Sequence, residues 1–468
     1  MLNIKLFKDL SPKKIVVGFK SLPDISDSKS LVKGRIFQLK DITELERQVI
    51  VNFDLEGRLI DIELGGRSLD SNVKILERSF DGKFYVYFEN CKNLKFNQKR
   101  VYRYYDYYHE AVCEDLRISK ILVDSVHSLL KEISQRGYKS DNKIILMKIN
   151  PSHKTKRFPT NLIKILENAR KKYNWKGLMK DKVRAKKIYS TPISILPPEV
   201  RPDQNPVFAI IQLTHGCKIQ KLRGPCKFCN SYRNISYKEK SVEELKVHIE
   251  QVKRFAGRGW KYVRKFFLSD ADPLYTTINS EIYFKFLRKV VPNVNWYECF
   301  ISTLGILSKS MKEWKKLMKL GLRKIYWGVE SADDQILKIL GKPQNKKMLY
   351  KAASILNKIN IPYVVILLSG IGNFNSELKR DLIHNSHIKE TTKFIQDINC
   401  PSVYISRFTP QPGTEIHNLI KAKKLNFPPL PERELEHRTM IKTISYNEKN
   451  PLIPIREVRG TYGAQFNR

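Results

Sequence analysis

Three of the seven cysteines lie close together in the chain, Cys217, Cys226 and Cys229, with the spacing C-x8-C-x2-C. They follow directly on an apolar run, 207–213, that predicts a fully buried strand. Thiolates on a loop that leaves a strand end are suitable ligands for a metal or an iron–sulfur cluster. A 4Fe-4S cluster held by three cysteines keeps one iron without a protein ligand, and an open position is typical of catalytic metal sites. The spacing therefore favours catalysis over scaffolding.

Two other interpretations of this loop stay open. With His215 as a fourth ligand the loop would form a structural zinc site of the Cys3His type, although an H-x-C pair is closer than the usual ligand spacing. Alternatively the cysteines bind nothing and are buried as small apolar residues, although the neighbouring Gly224 and Pro225 are poor material for a core.

The composition indicates a folded protein with an anionic partner. The chain has 468 residues, enough for about two or three domains, and 41% of them are hydrophobic. Its 86 Lys and Arg against 47 Asp and Glu give a formal net charge of +39. An excess of this size attracts polyphosphates, so nucleic acid is the first partner to consider. Ordinary solvated faces in a lysine-rich protein would give the same total.

The sequence predicts a cytoplasmic protein without a membrane partner. The N-terminal residues lack the long apolar stretch of a signal peptide, and no run of 18 apolar residues occurs in the chain. Seven cysteines in a chain of this length do not form a disulfide framework, and an odd number with three clustered fits a reducing compartment.

Changes in periodicity and charge divide the chain into four parts. Residues 1–110 predict a β-rich accessory domain, 111–192 a basic helical region, 193–425 a barrel, and 426–468, which are rich in proline, a C-terminal arm. Turn signals such as Gly65-Gly66 separate the strands of the first part. Those strands are predicted at 14–19, 31–39, 48–53, 59–64 and 83–88.

The positive charge is concentrated between residues 131 and 190, which hold 18 Lys or Arg against 4 Asp or Glu, whereas residues 1–90 hold 15 against 14. Tyr173 and Trp175 lie among these cations, a pattern that suits a phosphate-binding surface with base stacking. A solvated linker helix is the alternative. The tyrosines between Tyr102 and Tyr108 could also stack bases, but such a run is more often an edge strand packed on its neighbour.

From residue 207 onward, strand-like runs alternate with amphipathic helical patterns in six units. This alternation predicts a parallel β/α sheet wound as a partial or full barrel, with functional groups at the carboxyl ends of the strands. The predicted strands are 207–213, 264–268, 296–302, 324–328, 363–368 and 403–406; the predicted helices are 242–255, 278–290, 309–320, 333–340, 347–358 and 375–396. The cysteine loop follows the first strand, so it lies at such a carboxyl end.

Over about half of the chain, from Leu196 to Leu425, these residues resemble the radical SAM superfamily. The cysteine loop is similar to the family's cluster loop, in which the residue before the last cysteine is usually aromatic, here Phe228. The usual spacing in the family is C-x3-C-x2-C. A lengthened first gap is familiar in the radical SAM subunit of Elongator, whereas the Asp-x-Asp style of the second strand end is shared with the coproporphyrinogen-oxidase-like branch. The subfamily stays unassigned.

The strand ends carry further parts of the resemblance. Residues 268–274 resemble the second-strand motif, usually Gly-Gly-Glu-Pro, that binds the SAM amino group. Here Asp272 takes the place of the glutamate, and Asp270 belongs to the segment that replaces the glycines. The resemblance therefore implies that Asp270 and Asp272 contact SAM.

Later strand ends add to this set. Glu330 and Ser331 resemble the fourth-strand motif near the SAM ribose and carboxylate. Gly370 and Gly372 resemble the glycine-bearing end of the fifth strand, where the backbone would approach the nucleoside. Residues 408–414 resemble the proline-glycine-threonine turn after the sixth strand.

The resemblance implies a fold, two cofactors and a reaction. The fold is α/β, a radical-SAM-type partial β/α barrel with an N-terminal β-rich accessory domain and a basic helical linker. Cys217, Cys226 and Cys229 would hold a 4Fe-4S cluster that cleaves SAM reductively and generates a 5′-deoxyadenosyl radical, while the protein orients the reactants and excludes water. An electron donor such as ferredoxin or flavodoxin is implied as a partner.

Three functions remain open on the sequence. The first is a radical SAM enzyme that modifies RNA, such as tRNA, bound through residues 131–190. The second is a radical SAM enzyme acting on a small molecule, a lipid or a protein. The third is a non-enzymatic, zinc-bound nucleic-acid-binding protein. The other four cysteines are scattered singly, so a second cluster loop is not expected; they are Cys91, Cys113, Cys299 and Cys400.

Overall fold

The structure is a computed structural model that describes the chain in blocks. The described residues are 2–5, 15–19, 48–54, 56–65, 73–79, 82–88, 101–105, 110–113, 116–135, 144–147, 160–189, 196–202, 207–372, 386–445, 453 and 455–457. The long stretch 207–372 contains the cysteine loop and the strand-end motifs up to Gly372.

The N-terminal part forms an antiparallel sheet. Its strands pair in the order β2-β3-β4-β5-β6-β8-β7. The strands are β1 (Leu2–Lys5), β2 (Ile15–Phe19), β3 (Gln48–Phe53), β4 (Leu59–Gly65), β5 (Val73–Arg78), β6 (Phe84–Phe88), β7 (Val101–Tyr105) and β8 (Glu110–Cys113). The predicted strand 31–39 lies outside the described residues. The first tyrosines of the aromatic run fall on β7 at the edge of this sheet, and residues 107–108 are outside the described ranges.

Helices connect this sheet to the barrel. They are α1 (Leu116–Gln135), α2 (Thr160–Lys172) and α3 (Trp175–Ile188), with a strand β9 (Ile144–Met147) between the first two. The strand β9 pairs in parallel with β1. In the helical region predicted at 111–192, the first helix begins at Leu116, because residues 110–113 pair with β6 and β7 in the sheet.

The second half of the chain forms a parallel sheet in the order β10-β13-β14-β15-β16-β17-β18 among the described residues. Its strands are β10 (Phe208–Gln212), β13 (Lys265–Ser269), β14 (Trp296–Ile301), β15 (Leu322–Glu330), β16 (Tyr363–Ser369), β17 (Val403–Arg407) and β18 (Ile455–Glu457); a two-stranded ribbon pairs β11 (Thr214–His215) with β12 (Lys238–Glu239). Consecutive strands are joined by helices, which is the βα order of a partial barrel.

The helices of this half of the chain lie between and after its strands. They are α4 (Lys218–Arg223), α5 (Val242–Ala256), α6 (Ser280–Val290), α7 (Thr303–Leu307), α8 (Met311–Leu320), α9 (Asp334–Leu340), α10 (Lys346–Ile359), α11 (Ser386–Asp397), α12 (Glu415–Lys421) and α13 (Leu430–Ser445). Every residue of β10 and of β16 is buried. Strands covered on both faces lack polar alternation, which is why they appear in the sequence as continuous apolar runs.

The segment 426–468, predicted as a C-terminal arm, contains a helix and a strand among its described residues. Helix α13 packs on α11, and β18 adds to β17 in parallel register, so both continue the barrel beyond residue 425. The prolines had indicated an irregular segment, but Pro431 lies in the first turn of α13, where its missing N–H removes no helical hydrogen bond. The predicted helix 375–396 begins at Ser386 in the structure, and residues 373–385 are outside the described ranges.

A short turn, Pro198–Val200, closes the amino-terminal end of the barrel. Val200 is fully buried in the barrel core. Glu199 accepts hydrogen bonds from the hydroxyl of Tyr326, in the middle of β15, at 3.1 Å and from that of Tyr404, near the start of β17. Because this turn fills the amino-terminal end of the barrel, a functional site is expected at the opposite end, where the strands terminate.

A buried ion-pair network fixes the N-terminal sheet to the barrel. Asp181 of α3 pairs with Arg58 Nε at 3.1 Å and with Arg78 Nη2 at 2.9 Å. The Arg58 guanidinium also lies 4.5 Å from the ring centre of Phe255 at the end of α5 and donates to its carbonyl oxygen. Arg201 pairs with Glu77 at 2.6 Å. These contacts hold the sheet, α3 and the barrel in one arrangement.

Candidate active site at the strand ends

The cysteine loop contains a short helix. Cys217 lies at the N-cap of α4, and the helix ends at Gly224, whose φ of 81° lies in the left-handed region. The amide of Cys229 then donates to the carbonyl of Cys226 at 3.1 Å, which forms a turn. The long C-x8-C gap is therefore filled by α4, and all three thiols are partly exposed on one loop.

The surroundings of the thiols are suited to cysteine ligands of a cluster. Burial raises the pKa of Cys217 to about 11, although hydrogen bonds from the backbone N–H groups of Gln220 and Ile219 oppose this shift. Burial also raises the pKa of Cys226 to about 12, against the nearby cation of Lys342. N–H donors and a cation favour the thiolate form that ligation requires. The donor set thus fits a 4Fe-4S cluster.

The alternative of a mononuclear zinc site finds little support in the ligand geometry. Nε2 of His215 is hydrogen-bonded to Nζ of Lys240, on the strand-like ribbon beside the loop. Burial, followed by the charge of Lys240, lowers the pKa of His215 to about 4. Within the described ranges, no three His, Cys, Asp or Glu side chains are grouped closely enough for one metal ion. A cluster binds its cysteines on separate irons, which spaces the thiols more widely than a single zinc does.

Phe228 fixes the cysteine loop to the rest of the barrel mouth. Its ring packs in an apolar cluster with Leu340, Leu368 and Ile371. The backbone of Lys227 adds two hydrogen bonds, donating to the carbonyl of Leu340 at 2.9 Å and accepting from the amide of Ile416 at 3.0 Å. The loop is therefore held against the ends of β16, α9 and α12.

Asp270 lies at the end of β13 with a backbone φ of 97°, a region that side chains other than those of Asn and Asp rarely adopt. The residue is completely buried. Its carboxylate accepts from Gln212 Nε2 at 3.2 Å and from Thr214 Oγ1 at 3.3 Å. A buried acid in a strained conformation at a strand end is typical of a functional site.

Asp272, predicted from the resemblance to contact SAM, accepts four hydrogen bonds from the protein itself. Its Oδ2 accepts from the amide of Ser302 at 2.9 Å and from the Ser302 hydroxyl at 2.6 Å. Its Oδ1 accepts from the amides of Leu274, at 3.2 Å, and Tyr275, at 3.0 Å. A carboxylate has about four lone-pair positions, so the chain's own donors fill the acceptor capacity of Asp272. Burial raises its pKa, although the bonds from Ser302 act in the opposite direction. These bonds tie the end of β13 to the end of β14.

Glu330 also has a left-handed backbone, with φ of 67°, at the end of β15. Its Oε1 lies 3.0 Å from Nζ of Lys342, which donates a second bond to the carbonyl of Gly328 at 3.1 Å. Burial lowers the pKa of Lys342, but Glu330 and the Cys226 thiol raise it, and the net shift is upward. The Lys342 cation also lies 6.0 Å from the ring centre of Phe228. This lysine was not among the residues predicted from the sequence; it lies directly after Gly341, the C-cap of α9.

The hydroxyl of Ser331 is directed to protein groups. Its Oγ is hydrogen-bonded to Nδ1 of His387 at 2.8 Å and accepts from the amide of Asp333 at 3.0 Å. Ser331 is completely buried. The side chain therefore supports the end of β15, whereas the prediction had placed it beside the cofactor.

Gly370 and Gly372 contact the last helix of the barrel. Their N–H groups donate to the carboxylate of Glu436 on α13. Gly370 has φ of 79°, and a Cβ there would lie 3.3 Å from the side chain of Arg433. Glycine at position 370 is thus favoured by the backbone conformation and by the close helix. Sequence inspection gave no signal for Glu436, because the two segments are 64 or more residues apart.

The turn at 408–414 lies beside the cysteine loop. Thr414 caps α12 by accepting from the amide of His417 at 3.2 Å. Asn230, directly after the last cysteine, donates to the carbonyl of Pro412 at 3.3 Å. This turn and the cysteine loop therefore meet at the barrel mouth, as expected from their positions after strands β17 and β10.

The aromatic residues of the basic region, Tyr173 and Trp175, are half-buried and contact other parts of the protein. Trp175 lies 5.2 Å from Phe84 of the N-terminal sheet, measured between ring centres. Tyr173 lies under the guanidinium of Arg58, at 5.5 Å. Base stacking on these two rings, as the sequence suggested, would break contacts that join α3 to the sheet. Part of the 131–190 segment, residues 136–143 and 148–159, lies outside the described ranges.

No helix among the described residues combines the length and the apolar character needed to cross a membrane.

Comparisons with known proteins identify the domain. Residues 211–383 match the family described as the Radical SAM superfamily. No curated protein sequence matches the chain.

Solved structures with detectable similarity include methylornithine synthase (PylB), 16% identical, which matches 59% of this chain and 71% of its own with a TM-score of 0.36. The methyltransferase TsrM from Kitasatospora setae, solved with cobalamin and a 4Fe-4S cluster, is 11% identical over 47% of this chain and 38% of its own, with a TM-score of 0.34. Elp3 from Methanocaldococcus infernus is 15% identical over 54% and 56%, with a TM-score of 0.34. The match spans less than two thirds of the TsrM and Elp3 structures. Residues 211–383 therefore form a radical SAM domain, and this family implies an enzyme that uses a 4Fe-4S cluster and SAM.

Proposed function

We propose that this radical SAM enzyme acts on RNA, which it binds through the basic face of α3. The observation that carries the proposal is a row of exposed lysines on a helix whose one acid, Asp181, is buried in ion pairs with Arg58 and Arg78. No carboxylate on α3 is therefore free to neutralise the exposed cations.

At the barrel mouth, Cys217, Cys226 and Cys229 would hold the cluster. The bound cluster and SAM supply a 5′-deoxyadenosyl radical that abstracts hydrogen from the substrate. Asp270 and the Lys342–Glu330 pair are the charged groups positioned for SAM, because they lie at or next to the ends of β13 and β15 and the Lys342 cation is near the Cys226 thiol. The apolar cluster around Phe228 excludes water from this side of the site.

The basic face consists of Lys176, Lys180 and Lys187, which are exposed and make no ion pair among the described residues. Their spacing of four and seven residues places them on the same side of the helix. The opposite side packs on the protein through Leu178 and Ala185, both completely buried. A row of cations held on a rigid helix is suited to follow a phosphate backbone.

The position of α3 favours a large substrate. Arg184 and Tyr189 of this region contact Phe255 at the C-terminal end of α5, close to where β13 starts. The cysteine loop lies at the other end of α5, which is 15 residues and therefore about 22 Å long. A substrate that contacts both places must extend over about 20 Å, which RNA does and a small metabolite does not.

The proposal includes the remaining partners. An electron donor such as ferredoxin or flavodoxin would reduce the cluster, and the cytoplasm would supply both the donor and RNA. The β-rich accessory domain, residues 1–110, and the helical region, residues 111–192, would together form the RNA platform, because the ion pairs of Asp181 join them.

Salt dependence of RNA binding tests the proposal. The triple variant Lys176→Gln, Lys180→Gln, Lys187→Gln should bind RNA more weakly and should lower the slope of log K against log salt by about 2, since each lost phosphate contact removes about 0.7 on single strands. SAM cleavage without RNA should not change, because the three lysines lie far from the barrel mouth.

A matched control removes the same charge elsewhere. Lys312, Lys315 and Lys319 are exposed on α8 and make no ion pair among the described residues. Replacing these three lysines by glutamine should leave the salt slope of RNA binding equal to that of the wild type. Equal slopes for both triple variants would mean that the charge acts nonspecifically, and would favour a small-molecule or protein substrate.

A further inference from the structure

The end of β16 holds a buried carboxylate from a distant helix. Glu436 of α13 is completely buried. Its Oε1 accepts from the amides of Gly370 at 2.6 Å, Ile371 at 3.0 Å and Gly372 at 3.2 Å, and its Oε2 accepts from Gly372 at 3.1 Å. Successive backbone N–H groups that converge in this way form an anion-binding nest. Here the chain supplies the anion itself.

The nest belongs to a larger buried polar group. Nε2 of His387 lies 3.7 Å from Glu436 Oε1 and 3.1 Å from the carbonyl of Leu368, and Nδ1 of the same ring is bonded to Ser331. The next residue on α13, His437, is bonded to the hydroxyl of Ser369 at 2.7 Å. One connected set of side chains therefore contacts the carboxyl ends of both β15 and β16.

Such a set makes the strand ends rigid. An unpaired carboxylate in this position would be strongly unfavourable, whereas one that accepts several N–H bonds is stable only while those donors keep their places. The backbone of 370–372 is thereby fixed relative to α13. A second link, an ion pair between Arg407 and Glu434, holds the same helix at the end of β17.

We infer that Glu436 is a positioning residue of the SAM site, acting through the backbone of residues 370–372. The inference rests on the proposed placement of SAM beside the strand ends, and it is independent of RNA. The C-terminal helix thereby determines how tightly SAM is bound, although none of its side chains belongs to the cysteine loop. A glutamate at this position keeps the backbone in the conformation that approaches the nucleoside.

The test compares Glu436→Gln with Glu434→Gln in the full-length, cluster-loaded protein under anaerobic conditions. The amide of Glu436→Gln keeps the side-chain shape but replaces one acceptor oxygen by a donor that faces backbone N–H groups. SAM affinity, measured by equilibrium dialysis, should fall at least tenfold. Iron content and the spectrum of the reduced cluster without SAM should match the wild type. Glu434→Gln loses an ion pair on the same helix and should bind SAM within twofold of the wild type.

A second variant covers the case in which Glu436→Gln does not fold. Glu436→Asp keeps the charge but withdraws it by one methylene, so it should fold and bind SAM at least threefold more weakly. Wild-type SAM affinity in a folded variant at position 436 would overturn the inference. Loss of the cluster together with SAM binding in both variants would also overturn it, since Glu436 would then stabilise the barrel and not the SAM site. Failure of the RNA proposal would leave these measurements unchanged.

Discussion

Replacing Asp272 by asparagine should destabilise the barrel without a large change in SAM affinity. The carboxylate accepts four hydrogen bonds, two from Ser302 and one each from the amides of Leu274 and Tyr275. An asparagine amide has one acceptor oxygen, so two of these donors lose their partner and face an NH2 group instead. Hydrogen bonds to charged groups contribute about 1.5–3 kcal/mol each, so we expect a loss of about 3–6 kcal/mol.

Urea unfolding measures this loss, with the fluorescence of the buried Trp314 and Trp327 as the signal from the barrel. SAM affinity is then measured without urea, at a low temperature at which the variant is folded. Under these conditions Asp272→Asn should bind SAM within about threefold of the wild type, because the wild-type carboxylate has no acceptor position left for the SAM amine.

Asp270→Asn is the matched variant. Asparagine tolerates the left-handed backbone of this position, so the change removes charge with little strain. Its SAM affinity should fall tenfold or more, with a smaller change in the urea midpoint than for Asp272→Asn. A wild-type midpoint together with a tenfold loss of SAM affinity in Asp272→Asn would refute this reasoning and would support the role that the motif alone suggested.

Two further predictions concern the cluster and the lysine beside it. Cys226→Ser should lose most of its iron after anaerobic purification. The control Cys400→Ser should keep its iron, because the serine hydroxyl can keep the bond to the carbonyl of Ser402. Iron analysis of both variants checks this, and equal iron content in the two would exclude Cys226 as a ligand. Lys342→Met should lower the free energy of unfolding by about 3 kcal/mol, because it leaves the buried Glu330 without its cation, whereas Lys342→Arg should retain most of the stability. Equal stability of Lys342→Met and the wild type in urea would show that the ion pair contributes little.

The sequence by itself determined the order of strands and helices in the barrel. The strands that periodicity predicted at 264–268 and 363–368 correspond to β13 and β16 within one residue at each end. The reason is that parallel strands are covered on both faces and become apolar throughout, while the helices between them keep one polar side. Spacing alone also placed Cys217, Cys226 and Cys229 on one loop, since all three follow a single strand.

The sequence did not determine which protein groups hold the acidic side chains at the strand ends. Asp270 and Asp272 are two residues apart and chemically identical, yet only the structure shows that Ser302, on another strand, fills the acceptors of Asp272. The aromatic residues Tyr173 and Trp175 resemble stacking residues until the contacts with Arg58 and Phe84 are known.

The role of the C-terminal segment was decided in the same way. Its prolines and weak periodicity indicated an arm, while β18 and α13 complete the barrel and Glu436 binds the backbone of Gly370 and Gly372. Hydrogen bonds of this kind depend on the distance and angle between segments that lie far apart in the chain. Local patterns specify which elements form, but the partner of each polar group is fixed only when those elements pack.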